Sequence, residues 1–288
     1  MALALCPASC GEIIQGWIQG SEKLVSCPID WYSEVEITHG LAREDEQPLV
    51  RAMVNLVLAH WQLPAHLSQQ IRIDCRSTIP VAKGMASSTA DIAATAVATS
   101  RHFGYTLDEV TLARLCVTLE PTDSTVFRHL TLFDHNSANT RIGCAGLPAM
   151  DILLLESPLT LRTADYHRLP REQILRSNAD ELDSAWQQVQ QACERNSPAL
   201  LARAATRSAV VSQSLLPKPG FHSLMALVEA CGLYGLNVAH SGSVVGLFLD
   251  REKHDVEEVC WRLDAPALRA HWPRRHLVRM VEGGVKER

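Results

Sequence analysis

The stretch from Ile71 to Ala90 constrains this chain more than any other, because a strand runs straight into a small-residue turn and the turn straight into a helix. Ile71, Ile73 and Cys75 alternate with Arg72, Asp74 and Arg76, the period of a strand half-buried on one face. Residues 86–101 are rich in Ala and Thr and hold neither Gly nor Pro, as a packed helix requires. Between them stand Pro80, Val81, Ala82, Lys83, Gly84, Met85, Ala86, Ser87, Ser88, Thr89 and Ala90. Gly84 and Ala86 permit close backbone approach, and three hydroxyls follow where a helix leaves its first amides without partners. Those amides and the positive end of the helix dipole favour an anion, and a nucleotide phosphate is its natural form. The same residues suit an ordinary helix start with Ser as N-cap, so the loop by itself leaves both readings open.

Composition narrows the class. A chain of 288 residues is long enough for two domains and a sizeable core, at about 150 residues per domain. Its 27 Lys and Arg against 32 Asp and Glu leave a net charge of −5. No basic run is present, so no nucleic-acid partner is expected. Nine scattered cysteines form no Cys-x-x-Cys pair and read as free thiols of a reducing compartment. No segment offers the roughly 20 apolar residues of a membrane span. The apolar opening has no basic residue before Lys23, unlike a secretory signal. The expectation is a cytoplasmic protein with no membrane partner.

Residues 1–36 read as short extended pieces with a turn at Gly20 and Ser21. Over 48–62, Leu49, Val50, Met53, Val54, Val57, Leu58 and Trp61 share one helical face. A further helix over 107–119 follows Thr106-x-x-Glu109, a capping-box spacing. Residues 151–159 form an apolar run fit for a buried strand, and Pro170 opens a helix-rich half. That half reads as helices over 171–194, 198–215 and 220–231, a strand over 244–249 and a helix over 253–263. The expected domains are 1–168 and 169–288, with no internal repeat.

The loop is neither a Walker loop nor a dinucleotide fingerprint, since G-x-x-x-x-G-K-[ST] and G-x-G-x-x-G are both absent. Pro80-x-x-x-Gly84-Met85-Ala86-Ser87-Ser88-Thr89-Ala90 resembles instead the Pro-x-x-x-Gly-Leu-Gly-Ser-Ser-Ala-Ala loop of the GHMP kinases. That superfamily contains galactokinase, homoserine kinase, mevalonate kinase and phosphomevalonate kinase. Met85 replaces the Leu here and Ala86 the second Gly. Two more segments stand in the family's order, from Cys6 to Gly16 (CPASCGEIIQG) and from Ala239 to Gly246 (AHSGSVVG), so the resemblance covers essentially the whole chain. It implies an α+β, two-domain fold: an N-terminal α/β domain with a left-handed β-α-β crossover and a C-terminal ferredoxin-like domain, with ATP and acceptor between them. That crossover departs from the general right-handed rule and comes from the resemblance alone. The first segment is similar to that of the branch holding the L-threonine kinases of adenosylcobalamin synthesis and propanediol utilisation. It implies L-threonine as acceptor, with homoserine, an isoprenoid alcohol or a nucleotide-binding regulatory role as alternatives, and is compatible with a homodimer.

Phosphoryl transfer needs held phosphates, a divalent cation and a group that orients or deprotonates the acceptor hydroxyl. The resemblance implies that residues 80–90 hold the phosphates of ATP and that Ser87 or Ser88 joins Glu120 in binding Mg2+, which takes hard oxygen ligands. A carboxylate at a helix C-terminus opposes the dipole, which a bound cation would offset. Glu120 also fits a solvated helix end. Asp123, in a Pro- and Thr-containing turn, matches the family's catalytic base, and a capping or Asx-turn role fits it equally. Glu12 would receive the ammonium of an amino-acid acceptor, or simply end a strand. Ser241 and Gly242, with Ser243 and Gly246, would close the phosphate or acceptor side with backbone groups, or form a tight turn into an apolar strand. The first segment lacks the Arg or Lys of galactokinase- and mevalonate-kinase-like members. Lys83 could offer a point charge to phosphate or stand as a solvated loop residue, the reading favoured here, and His240 reads as a packing or turn residue rather than a metal ligand.

Overall fold

The computed structural model describes residues 1–159 and 171–287. Its N-terminal feature is a long antiparallel hairpin of β1 (Ala2–Ile18) and β2 (Ser21–His39), turning at Gln19 and Gly20. The sequence pattern breaks this hairpin into pieces because its register shifts between Pro7 and Ala8, Ser9 and Glu12, and Glu12 and Ile14. Such bulges bend a strand and re-aim its side chains without ending it. β1 is also buried almost throughout, so its apolar residues run on instead of alternating.

β3 (Ile71–Ser77) pairs with β2, and the short strands β4 (Thr131–Phe133) and β5 (Arg141–Gly143) extend the same sheet. With it pack α1 (Pro48–His60), α2 (Ser87–His102) and α3 (Glu109–Leu119). Every residue of α2 from Thr89 to Ser100 is buried. A helix enclosed on all sides cannot be amphipathic, and its small Ala and Thr side chains let β1, β2, α1 and α3 approach closely. The N-cap of α3 is Asp108 rather than Thr106. Its carboxylate accepts from the amides of Val110 and Thr111 at 2.8 and 2.9 Å, satisfying two of the helix's orphan donors.

The second sheet runs in the order β7–β8–β6–β9, built from β6 (Asp151–Glu156), β7 (Gly235–Val238), β8 (Val244–Leu249) and β9 (Arg274–Arg279). All its pairs are antiparallel. Helices α4 (Glu172–Ser177), α5 (Ala179–Glu194), α6 (Pro198–Ser212) and α7 (Phe221–Ala230) connect β6 to β7, and α8 (Val256–Leu263) and α9 (Pro266–Arg269) connect β8 to β9. That is the β-α-β-β-α-β pattern of a ferredoxin-like unit. The helix expected over 171–194 divides at Asn178, whose side-chain Nδ2 donates to the Ile174 carbonyl at 2.8 Å. The boundary at 168, like Pro170, lies outside the described residues; by strand pairing the second sheet begins at Asp151.

Among the described residues the two sheets are continuous as one ten-stranded sheet, joined between β1 and β7 by Glu12 opposite Val238 and bridged again by Ile29 opposite Met280, and β10 (Lys286–Glu287) pairs with β1. One hydrophobic cluster fills the first unit and reaches under α5 and α6, and a second wraps β6, β7 and β8 around the buried Trp272. No described helix is long and apolar enough to cross a membrane, and all nine cysteines are free thiols.

Candidate active site

All three sequence motifs meet where the sheets join. The turn after β3 rests on left-handed backbone, with φ of 59° at Ala82, 76° at Gly84 and 57° at Ala86. Ala86, not a serine, is the N-cap of α2, and no side chain caps that helix. Its first amides are therefore left for a ligand. Met85 is buried in the core, so the exchange for Leu keeps an apolar anchor under the loop.

Backbone holds this loop from two sides. Ser9 of β1 donates its amide to the Met85 carbonyl at 3.0 Å, and the amides of Ser243 and Val244 donate to the Lys83 carbonyl at 2.9 and 3.3 Å. Two glycines interlock: a Cβ on Gly84 would stand 2.8 Å from the Gly242 Cα, and one on Gly242 would stand 2.1 Å from the Lys83 carbonyl oxygen and 2.3 Å from the Gly84 nitrogen. Only hydrogen fits at either position.

Lys83 departs from the solvated role expected of it. Its side chain is buried, and Nζ donates to the carbonyls of Ser157 and Leu159 at 2.6 and 2.7 Å, 3.8 Å from the Glu156 carboxylate. With left-handed residues on both sides, the chain sends this lysine behind the loop, where it braces the loop to the end of β6.

A cavity of about 680 Å³ opens in front of the loop, within the size range of small-molecule sites. Val81, Ala82, Gly84, Met85, Ala86, Ser87 and Ser88 form one wall, and Glu12, Glu120, Asp123, His135, His240 and Ser241 line the other parts. Of the remaining loop residues, Pro80 is half-buried, Thr89 bonds to Asp123 and Ala90 lies in the core. Gly242 sits behind Gly84 rather than on the cavity, and its carbonyl accepts from Lys218 Nζ at 2.7 Å. Burial brings that lysine's pKa down to about 7.

Glu120 follows α3 directly, with Oε1 buried and unpartnered. Burial, partly offset by a hydrogen bond with Ser88, pushes its carboxyl above the usual range. A hydroxyl beside an orphaned carboxylate oxygen is the hard donor set that Mg2+ takes, so these residues fit that ion. Thr89 Oγ1 donates to Asp123 Oδ2 at 3.1 Å and accepts from the Asp123 amide at 3.2 Å. Asp123 does not cap the turn it precedes. Burial raises its pKa, while Thr89, His240 and Glu12 work the other way. Glu12, aimed into the cavity by the β1 bulges, is pushed well up by burial and then by the Asp123 charge. Burial thus raises both carboxyls, and two buried carboxylates in contact share one proton rather than ionise together.

Sequence reasoning missed His135 as a wall residue and set His240 aside. Asp134 Oδ1 accepts from the amides of Asn136 and Ser137 at 3.2 and 3.1 Å, an Asx turn that presents His135 at the cavity. The two imidazoles meet edge to face, with centroids 5.1 Å apart. His240 Nε2 lies 3.4 Å from Glu22 Oε1, and Arg171 holds the same carboxylate at 2.9 and 3.2 Å. Only the Asp134 turn left a local trace in the sequence.

Residues 48–129 match the family described as GHMP kinases N terminal domain. The mevalonate kinase of Methanococcus jannaschii shares the fold, with a TM-score of 0.68 and 14% identity over 97% of this chain and 98% of that one. The chain belongs to the GHMP kinases. Within them it is 66% identical to an L-threonine kinase of Citrobacter freundii over 286 residues, 99% of each chain. To an L-threonine kinase of Salmonella typhimurium it is 64% identical, over 99% of this chain and 95% of that one.

Proposed function

We propose that this chain is an ATP-dependent L-threonine kinase, which transfers a phosphoryl group to the side-chain hydroxyl and releases O-phospho-L-threonine and ADP. The observation that carries this reading is a single cavity walled by an uncapped helix start, an orphaned Glu120 oxygen and an Asp123 carboxylate held by Thr89. The relatives named L-threonine kinase support the choice of acceptor. On this reading the protein works in the cytoplasm and its product supplies the aminopropanol phosphate linker of adenosylcobalamin.

The amides at the start of α2 and the hydroxyls of Ser87 and Ser88 bind phosphate oxygens and fix the transferring group in line with the acceptor. Glu120, with Ser88 or Ser87, holds Mg2+, which when bound neutralises charge on the transferring group. Asp123 orients the acceptor hydroxyl and accepts its proton late, because an alcohol is too weak an acid to lose it before the bond to ADP yields. Glu12 receives the acceptor's ammonium, which replaces the shared proton as counter-charge between the two carboxylates.

The test is ADP release from MgATP with L-threonine, L-serine, L-homoserine or no acceptor, with the product identified by mass. L-Threonine is expected to drive release, and L-serine to be about 10- to 200-fold poorer, the worth of one methyl contact. Asp123→Asn is expected to lower kcat by about 10²- to 10⁴-fold while ATP KM stays within about twofold. A kcat/KM favouring L-homoserine would overturn the acceptor assignment.

A further inference from the structure

An amino-acid acceptor brings a carboxylate into this cavity, and a buried carboxylate requires a donor or a positive partner. Three acids, Glu12, Glu120 and Asp123, already line the walls. Among the described residues no lysine or arginine does: Lys83 is turned to Glu156 and two carbonyls, and Lys218 to Gly242. Among the described residues, the lining side chains able to carry positive charge are His135 and His240. We propose that these two imidazoles form the subsite for the acceptor's carboxylate, an inference that rests on the amino-acid kinase reading above.

The surrounding contacts orient both rings for that task. An ionised carboxylate only accepts hydrogen bonds, so Glu22 places a proton on His240 Nε2, and Nδ1 donates to a carboxylate in the imidazolium form of the ring. Arg171 balances the Glu22 charge from behind. Against the cost of burial, hydrogen bonds from His240 and Arg171 hold the Glu22 carboxyl well below the usual range, so the bracket stays ionised. Asn136 Nδ2 lies 3.1 Å from His135 Nε2 and steadies the second ring. His240 also bears electrostatically on Asp123, which sets the subsite on the same side as the base and Glu12. Hydroxyl, ammonium and carboxylate of one small acceptor then each face a different group.

The ligand atoms of Glu22, His135 and His240 lie within 4.8 Å of one another, a set that also suits a transition metal. Arg171 disfavours that occupant, because its guanidinium already bonds the carboxylate the ion would need.

The decisive experiment pairs L-threonine with L-threoninol, which keeps the alcohol and the amine but lacks the carboxylate, on wild type, His240→Gln and His135→Asn. In each variant the KM for L-threonine is expected to rise at least about 10-fold, with threoninol and ATP KM values within about twofold of wild type. Equal losses on both acceptors, or none on L-threonine, overturn the subsite. MgATP-dependent thermal protection identifies a variant that has not folded, and the comparison then rests on the other variant and on wild type, whose threoninol KM must exceed its L-threonine KM by about 10-fold. Tight 1:1 Zn2+ binding to wild type, lost in both variants without any acceptor difference, also overturns it in favour of a metal site. If wild type prefers L-homoserine, the acceptor assignment fails while the subsite stands, since homoserine carries the same carboxylate. Turnover confined to alcohols without a carboxylate removes both.

Discussion

The two sides of the cavity are made of different material. The phosphate side is backbone: left-handed residues at 82, 84 and 86, an uncapped helix start and two interlocked glycines. The acceptor side is side chains gathered from distant places, Glu12 from a bulge in β1, Asp123 after α3, His135 after β4 and His240 within the third motif. A backbone wall asks only for small residues and tolerates no added atom. A wall of side chains changes its chemistry with each substitution. The first kind serves a ligand group common to many enzymes, and the second can be respecified for one acceptor.

The sharpest way to break this contrast is Gly242→Ala. The new methyl meets the Lys83 carbonyl and the Gly84 amide, so the loop must shift and turnover is expected to fall at least about 100-fold, the penalty of ångström-scale misplacement. Thermal protection by MgATP should vanish with it, and near-normal kinetics would show the interlock to be dispensable. Lys83→Met comes next. It strips a buried donor from the Ser157 carbonyl, while Ser243 Oγ still donates to the Leu159 carbonyl at 2.7 Å and Arg274 still reaches Glu156 at 2.6 Å. A loss of about 2 kcal/mol in urea unfolding is expected, with little change in ATP KM. A large rise in ATP KM at unchanged stability would instead place that charge on the phosphates.

Glu12→Gln probes the other side through pH. Burial and the Asp123 charge raise the folded pKa of Glu12 well above its ordinary value. Its contribution is therefore fully present below the unfolded pKa and is lost as pH rises through the folded one. Gln, which carries no charge, is expected to stabilise the ligand-free protein at pH 8, by on the order of 2 °C in Tm, with the gain shrinking at pH 5. A gain that grows on acidification would show that the Glu12 carboxyl is not the raised group. The smallest effect is expected from Ala86→Gly. A left-handed alanine costs about 1 kcal/mol, partly offset by the greater freedom of glycine in the unfolded chain, so a net gain of about 0.5 kcal/mol is expected.

The same contrast governs what could be read in advance. The loop from Pro80 to Ala90 was legible because a backbone site is written in contiguous small residues. Ser87, Ser88, Glu120 and Asp123 were reached through the family resemblance, and all four reach the cavity. β1 was misjudged because its bulges interrupt the alternation on which strand reading depends. Lys83 was misjudged because its direction is set by the left-handed residues on either side of it, which composition does not reveal. His135 and His240 follow strands far apart in the chain, β4 and β7, and meet only after the chain has closed on itself, so no local window contains their relation. β4, β5, β7 and β9 were too short or too polar to stand out.

The interlock of Gly84 with Gly242 also bears on how the molecule is made. During synthesis the strand, loop and helix that carry the phosphate motif leave the ribosome long before the residues that clasp them, and contacts so far apart in the chain form slowly. Until Gly242 has emerged, the Lys83 carbonyl lacks the donors it finds in Ser243 and Val244. A nascent chain therefore gains its grip on nucleotide only once the third motif has emerged, and fragments that stop short of that motif should occupy the ribosome or the cell without sequestering ATP.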